Sequence, residues 1–408
     1  MNCRKLAAVL VLVFTQPAWS REPASMETDN VLAVAKGDNE FATDLYSRLR
    51  SDKPTNLFFS PYSVSTALAM TYAGAAGPTE AQIAKVLHFP LTDTELHAAF
   101  DTLRKSLIFS DKTPGFQLRV ANRLWGQKGV HFLPEFLQVI SADYGADLGL
   151  LDFKQAEAAR KTINSWIEEQ TDHKIQDLLA PGVLGASTRL VLTNAIYFKA
   201  RWTHEFSKSA TTDAPFHISA SQQITVPMMR QTHRLRYAAS DNVQLLELPY
   251  AGDARLSMLI LLPKKIDGLT DLEKSLTNEN LQKWSAELKP RLVKVDLPRF
   301  KMTSEFSLGD VLESMGMSLA FSDKADFSRM STQEQLSISA VIHKAFVDVN
   351  EEGTEAAAAT AVAMKAKAVF RAPEEPVEFH ADHPFVFLIR DNSTQSILFL
   401  GRLLNPKG

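Results

Sequence analysis

Residues 190–198 read LVLTNAIYF, a β-rich run in which Thr193 and Asn194 are the only polar side chains. An amphipathic helix or a half-exposed strand needs a polar side. A segment apolar on both alternating faces instead belongs in the middle of a sheet that is covered above and below.

Helical patterns in the first half offer that cover. Residues 31–50 carry Val31, Val34, Phe41, Leu45 and Leu49 at helical spacing. After a turn at residues 52–54 and a short strand at 57–59, Ser60 and Pro61 form a helix start, Ser capping and Pro in the first turn. The helix they open, 62–73, is apolar nearly all round and is expected to be buried. Residues 75–78 stop it, and a helix over 79–86 is expected with Thr79 as its cap. Residues 156–179 carry Ile163, Trp166, Ile167 and Ile175 at helical spacing. Strand patterns cover 117–125, 244–248, 256–262, 293–297, 342–349 and 386–389. Helices gathered early with strands throughout argue an α+β fold, not a βαβ repeat. No composition shift marks a domain boundary, and no repeat or low-complexity linker appears.

The first twenty residues stand apart. Arg4 and Lys5 precede an apolar run at 6–14, Pro17 breaks it, and Ala18-Trp19-Ser20 forms a small-x-small cleavage pattern. The run is too short to span a bilayer, which takes about 20 apolar residues. We read residues 1–20 as a secretory signal, a retained anchor being the alternative, and residues 21–408 as a single domain. The protein is then exported, to the extracellular space or a periplasm. The single cysteine, Cys3, falls inside the signal, so the remaining chain has no disulfide, no thiol nucleophile and no thiolate metal site. A large hydrophobic core must hold it together.

Catalytic signatures are missing. No nucleophile elbow, zinc-binding helix, phosphate loop or dinucleotide fingerprint occurs. The cluster His380-Ala381-Asp382-His383 matches no metal spacing and is interrupted by Pro384, and reads as a solvated strand-entry turn. Removing Arg4 and Lys5 takes the net charge from −3 to about −5, which gives nucleic acid no basic surface. No enzyme activity, cofactor, metal or membrane partner is expected.

Residues 351–368 read EEGTEAAAATAVAMKAKA, with one glycine and no proline or aromatic residue, before FRAPEEP at 370–376. This is too long for a hairpin and marks a functional or disordered loop. Propensity alone favours helix or an exposed tether. Laid out as a strand, however, Thr354, Ala356, Ala358, Thr360, Val362 and Met364 make one uncharged face. Such a segment can be a solvated loop in one state and a sheet strand in another.

Here the sequence resembles the serpins. Residues 351–361 (EEGTEAAAATA) resemble the hinge of the inhibitory members. NLFFSPY at 56–62, LVLTNAIYFKARW at 190–202, DLPRF at 296–300, His343-Lys344-Ala345, HPFVFL at 383–388 and FLGRLLNP at 399–406 are similar to further family motifs, in family order from about residue 31 to the end. The resemblance implies three β-sheets with eight or nine helices and a reactive loop over about 351–376. A target serine protease cuts the loop, forms an acyl-enzyme, and is trapped covalently when the loop enters the main sheet as a new strand. The native state must then be metastable, and the molecule acts once, as a monomer.

On this resemblance the hinge is Glu351, Glu352, Gly353, Thr354, Glu355, Ala356, Ala357, Ala358 and Ala359. Neither charge nor proline occupies Thr354, which favours inhibition over a carrier or chaperone role, the alternative reading. Seventeen residues counted from the hinge glutamate place the reactive bond at Lys367–Ala368, with Arg371–Ala372 as competitor. Either suits a trypsin-like protease. Ser60, Ser63, Asn194 and His343 match a hydrogen-bonded cluster beneath the sheet opening, and Glu351 with Arg299, near Trp202, matches the place where insertion begins. Arg104 and Lys105 form no dense basic row, so no heparin site is expected.

Overall fold

The computed structural model describes residues 23–50, 54–107, 117–252, 255–354 and 374–408. The expected signal at 1–20, the hinge from Glu355 to Ala359 and both candidate reactive bonds, Lys367–Ala368 and Arg371–Ala372, lie outside them.

Along the chain run α1 (Pro23–Leu49), β1 (Leu57–Phe59), α2 (Pro61–Tyr72), α3 (Gly77–Val86), α4 (Asp93–Leu107), β2 (Gln117–Gln127), α5 (Pro134–Tyr144), β3 (Leu148–Leu151), α6 (Ala156–Gln170) and β4 (Leu190–Arg201). The second half holds β5 (Thr212–Ser219), β6 (Gln222–Ala239), β7 (Val243–Pro249), β8 (Leu256–Pro263), α7 (Leu269–Ser275), α8 (Asn278–Ala286), β9 (Lys289–Pro298), β10 (Phe300–Ser307), α9 (Gly309–Met315) and β11 (Ile338–Val349). It ends with β12 (Gly353–Thr354), β13 (Val377–His380), β14 (Phe385–Asp391) and β15 (Ile397–Leu403). The α+β class holds.

One sheet runs β10-β11-β12-β4-β2-β3. The strand read as central is central: β4 pairs with β2 on one side and with β11 and β12 on the other. The remaining strands form a nine-stranded ladder from β1 to β13, with β5 attached to β6. The 18-residue β6 lies inside this ladder, pairing β7 over 236–239 and β9 over 228–237.

α2 is the buried helix that its pattern requires, with all twelve residues inside. The Ser60 hydroxyl accepts from the Ser63 N–H at 3.1 Å, and Pro61 opens the first turn. It packs against β2, β4 and β15, so it lies between the two sheets. The opposite face of the six-stranded sheet carries a smaller hydrophobic layer formed by α6 and the chain that follows it.

Two local expectations are corrected. Thr79 does not cap α3, whose N-cap is Ala76; its hydroxyl instead accepts from the Asp326 N–H at 2.9 Å, tying the helix to a distant loop. Helix α6 stops at Gln170, short of Leu179. Asp172, His173 and Asp177 adopt positive φ, and the Thr171 hydroxyl takes up the Ile175 N–H at 3.2 Å, so the hydrophobic spacing continues without helix.

Asp38 on α1 is buried, its Oδ1 accepting from the Ser65 hydroxyl at 2.5 Å while Oδ2 has no partner among the described residues. Burial pushes its carboxyl up to about 8. The folded protein keeps a proton that the unfolded chain releases near pH 4, so this group costs stability progressively as pH rises from about 4 to 8. Asp38→Asn is expected to remove that loss. Denaturant unfolding from pH 5 to 8 should find the variant gaining on the parent by up to about 1.4 kcal/mol per pH unit; parallel curves would refute it.

Candidate functional site: a slot between two parallel strands

β4 and β11 lie parallel and pair directly from Leu190–Ile338 to Tyr197–Phe346. Beyond Tyr197 they part, and β12 occupies the gap. Thr354 pairs antiparallel with Val349 on one side and Ala200 on the other, and Gly353 pairs with Arg201. The two residues of β12 thus begin a strand that is antiparallel to both neighbours, directly above a line where those neighbours bond only to each other.

The turn into β12 is fixed from several sides. The Asn350 carboxamide oxygen accepts from the Glu352 and Gly353 N–H groups. The N–H groups of Trp202 and Phe206 donate to the carbonyls of Glu352 (3.0 Å) and Glu351 (2.8 Å), and the Trp202 indole N–H donates to the Asn350 carbonyl. Arg299 Nε lies 3.5 Å from the Glu351 carboxylate, and that carboxylate is 6% exposed against 50% for the arginine. The predicted pair therefore exists, but it is half-buried, and its carboxylate depends on Arg299 more than a surface ion pair would. Lys208 pairs with Glu352. Gly353 has φ +156°, and a Cβ there would fall 2.0 Å from the Ala200 carbonyl oxygen, so no other residue fits without moving β4. Thr354 is fully buried, as an inward first residue should be. Its hydroxyl meets the Tyr250 hydroxyl at 2.8 Å, and the Tyr250 ring stacks on Trp202 at 4.6 Å.

Lower in the slot, the sheet brings the predicted polar residues together. Asn194 of β4 stands opposite His343 of β11. The Ser60 N–H donates to His343 Nε2 at 3.1 Å, so Nε2 is unprotonated and Nδ1–H donates to Asn194 Oδ1. Asn194 Nδ2 donates to Ser63 Oγ at 2.6 Å and also to Asn122 Oδ1. The Ser60 hydroxyl donates across to the Leu398 carbonyl of β15 at 2.6 Å. The cluster spans α2, three strands of one sheet and a strand of the other. Any strand that enters between β4 and β11 must break the Asn194–His343 bond.

Asn122 is the member that sequence reasoning missed. Its Nδ2 donates to the Ser63 carbonyl and its Oδ1 accepts from the Ser63 hydroxyl, both at 3.0 Å. The available signal was a polar side chain between Val120 and Leu124, on the face of β2 that α2 covers.

The other polar grouping stays apart from the slot. His380 bonds Asp296 and Glu378, whereas His383 bonds Asp382 and the Pro263 carbonyl. Among the described residues no group of three or more His, Cys, Asp and Glu side chains is placed to hold a metal ion, and no helix is long and apolar enough to cross a membrane. Arg104 and Lys105 are both paired with Asp101.

Burial pushes the His343 imidazole down to about 3, well below its ordinary value of 6.5. The folded protein holds it neutral while the unfolded chain takes up a proton below 6.5. Stability from this group is therefore complete above pH 6.5 and is lost as pH falls toward 3. His343→Gln is expected to be less stable at pH 7.5 yet to lose less on acidification. Its unfolding free energy should approach that of the parent by up to about 1.4 kcal/mol per pH unit between pH 6 and 4; a constant gap would refute it. Gly353→Val is expected to expel β12 and cost roughly 1–3 kcal/mol, with the Trp202 amide losing hydrogen-exchange protection.

Comparison with known proteins bears on this arrangement. Residues 36–406 match the family model described as serpin (serine protease inhibitor). The chain is 46% identical over 376 residues to the leukocyte elastase inhibitor of Xenopus laevis, covering 90% of this chain and 97% of that protein. Among solved structures it is similar to uncleaved ovalbumin (TM-score 0.83, 33% identity, 92% of this chain and 100% of that one). It is similar also to human thyroxine-binding globulin (TM-score 0.83, 33% identity, 92% and 99%). Close relatives of the chain are protease inhibitors and not enzymes. With a parted pair of parallel strands, a two-residue strand seated between them and the family's motifs along its length, this chain belongs to the serpins.

Proposed function

We propose that this protein is exported without residues 1–20 and inhibits a trypsin-like serine protease once per molecule, by inserting its cut loop into the six-stranded sheet. The seating of Gly353–Thr354 between β11 and β4 is the observation that carries this reading. A strand continuing from Thr354 has a track antiparallel to both neighbours. It would exchange one parallel ladder for two antiparallel ones, the slightly stronger pairing per residue.

The sequence after Thr354 suits that track. Laid along it, Glu355 would fall on the outward face, and Ala356, Ala357, Ala358 and Ala359 would bring little bulk to the track. About fifteen residues at roughly 3.3 Å each would move an attached protease by about 50 Å. Cleavage at Lys367–Ala368 matches the family count from Glu351, with Arg371–Ala372 next. The export reading rests on Arg4 and Lys5, the apolar run at 6–14 and the cleavage pattern at 18–20.

Two observations favour other readings. Several close relatives are named leukocyte elastase inhibitors, and Val362, Met364 and Val369 offer small or unbranched side chains to an elastase-type pocket. Likeness to thyroxine-binding globulin favours a carrier whose loop is only a substrate. Incubation with trypsin and, separately, with leukocyte elastase distinguishes them on a denaturing gel. The expected result is a covalent band with trypsin and release of a fragment beginning at Ala368. A complex with elastase alone replaces the protease class. Clean cleavage by both, with protease activity intact, leaves the carrier.

A further inference from the structure

The slot lies beneath the smaller hydrophobic layer. Ile163 and Ile167 of α6 pack in one cluster with Val191 and Ala195 of β4 and with Ile342 and Phe346 of β11. The layer therefore straddles the line along which β4 and β11 part. A new strand widens the sheet by about 4.8 Å, and the layer cannot keep its contacts to both halves while that happens.

Its fastenings to the two halves differ. On the β11 side, Lys344 Nζ donates to the Gln176 carbonyl at 2.9 Å. On the other side the fastening is aromatic. The Arg123 guanidinium of β2 lies 4.7 Å from the Trp125 ring of the same strand and 5.0 Å from the Trp166 ring of α6. The two indoles meet edge to face at 5.5 Å, and the Trp125 N–H donates to the Thr193 hydroxyl of β4 at 2.8 Å. Arg123 Nε is buried with no hydrogen-bond partner among the described residues, so the two rings are what hold the cation in place.

We propose that Arg123 is a positioning residue: it clips α6 to the β2–β4 half of the sheet, and this clip slows the entry of a strand between β4 and β11. The proposal rests on the insertion reading above. When the halves separate, the layer stays with β2 and β4, and it must tilt away from β11 against the Arg123–Trp166 contact. Loosening that contact eases the tilt.

The test measures strand entry in two ways. A synthetic peptide with the sequence of residues 354–367 is annealed to the full chain and followed on a native gel. Covalent trapping is followed by stopped flow at saturating trypsin, with leukocyte elastase in parallel. Arg123→Gln is expected to speed both processes roughly three- to tenfold, the size of one such contact, and Arg123→Lys to restore part of the brake. Trp166→Leu should reproduce Arg123→Gln, and the double variant should be no faster than either single one; Trp166→Leu carries the test if Arg123→Gln fails to fold. Unchanged rates with a lowered melting temperature would reduce Arg123 to a packing residue and overturn the proposal. If the parent neither anneals the peptide nor traps either protease, the insertion reading falls and this proposal with it.

Discussion

The parallel ladder between β4 and β11 is the seam on which the rest of the structure depends, since each half of the six-stranded sheet is fastened to one side of it. β2 and β3 hang on β4, and β10 hangs on β11. Polar cluster and covering layer both cross the same line. Parallel pairs bond on a slant and hold slightly less per residue than antiparallel ones, so the sheet is joined down its middle by its weaker kind of bond. Buried side chains reinforce it: His343 to Asn194 low in the slot, and Thr354 to Tyr250 at its top. An entering strand must break the first of these bonds, whereas the second already holds Thr354 in its seat.

Two buried titratable groups flank this region with opposite effects. Asp38 beneath α2 favours acid, because burial leaves its carboxyl holding a proton, and His343 favours neutral pH, because burial strips its imidazole of one. Between pH 4 and 6.5 their contributions oppose each other, which flattens the parent's stability curve while each single substitution uncovers a slope.

Much of this was legible in the sequence because it follows from short-range pattern. Residues 190–198 read as a central strand, and Ser60 with Pro61 as a helix start. Thr354 reads as inward because the hinge is uncharged on one face. What was not legible depends on residues far apart in the chain. Thr79 looks like a cap, and only the loop at Asp326 reassigns its hydroxyl. Ile175 keeps helical spacing after the helix has ended, since a side chain can pack in register from a turn. Asn122 and Arg123 look like routine polar residues on a strand. Their roles come from α2 on one face of the sheet and α6 on the other, neither of which local sequence places there.

The pairing of β1 with β15 carries a different consequence. Leu57, Phe58 and Phe59 find their partners at Arg402, Gly401 and Leu400, Ser60 donates to the Leu398 carbonyl, and Asn39 accepts from the Ile397 N–H. Residues from the first helices are thus joined to the last strand across some 340 positions of sequence. Loop closure over that distance is slow. The face of the buried helix α2 that β15 covers stays open until the ribosome has released nearly the whole chain. Synthesis rather than packing then sets the earliest moment at which the protein can fold, and a nascent chain cut short by even its final ten residues leaves that core open.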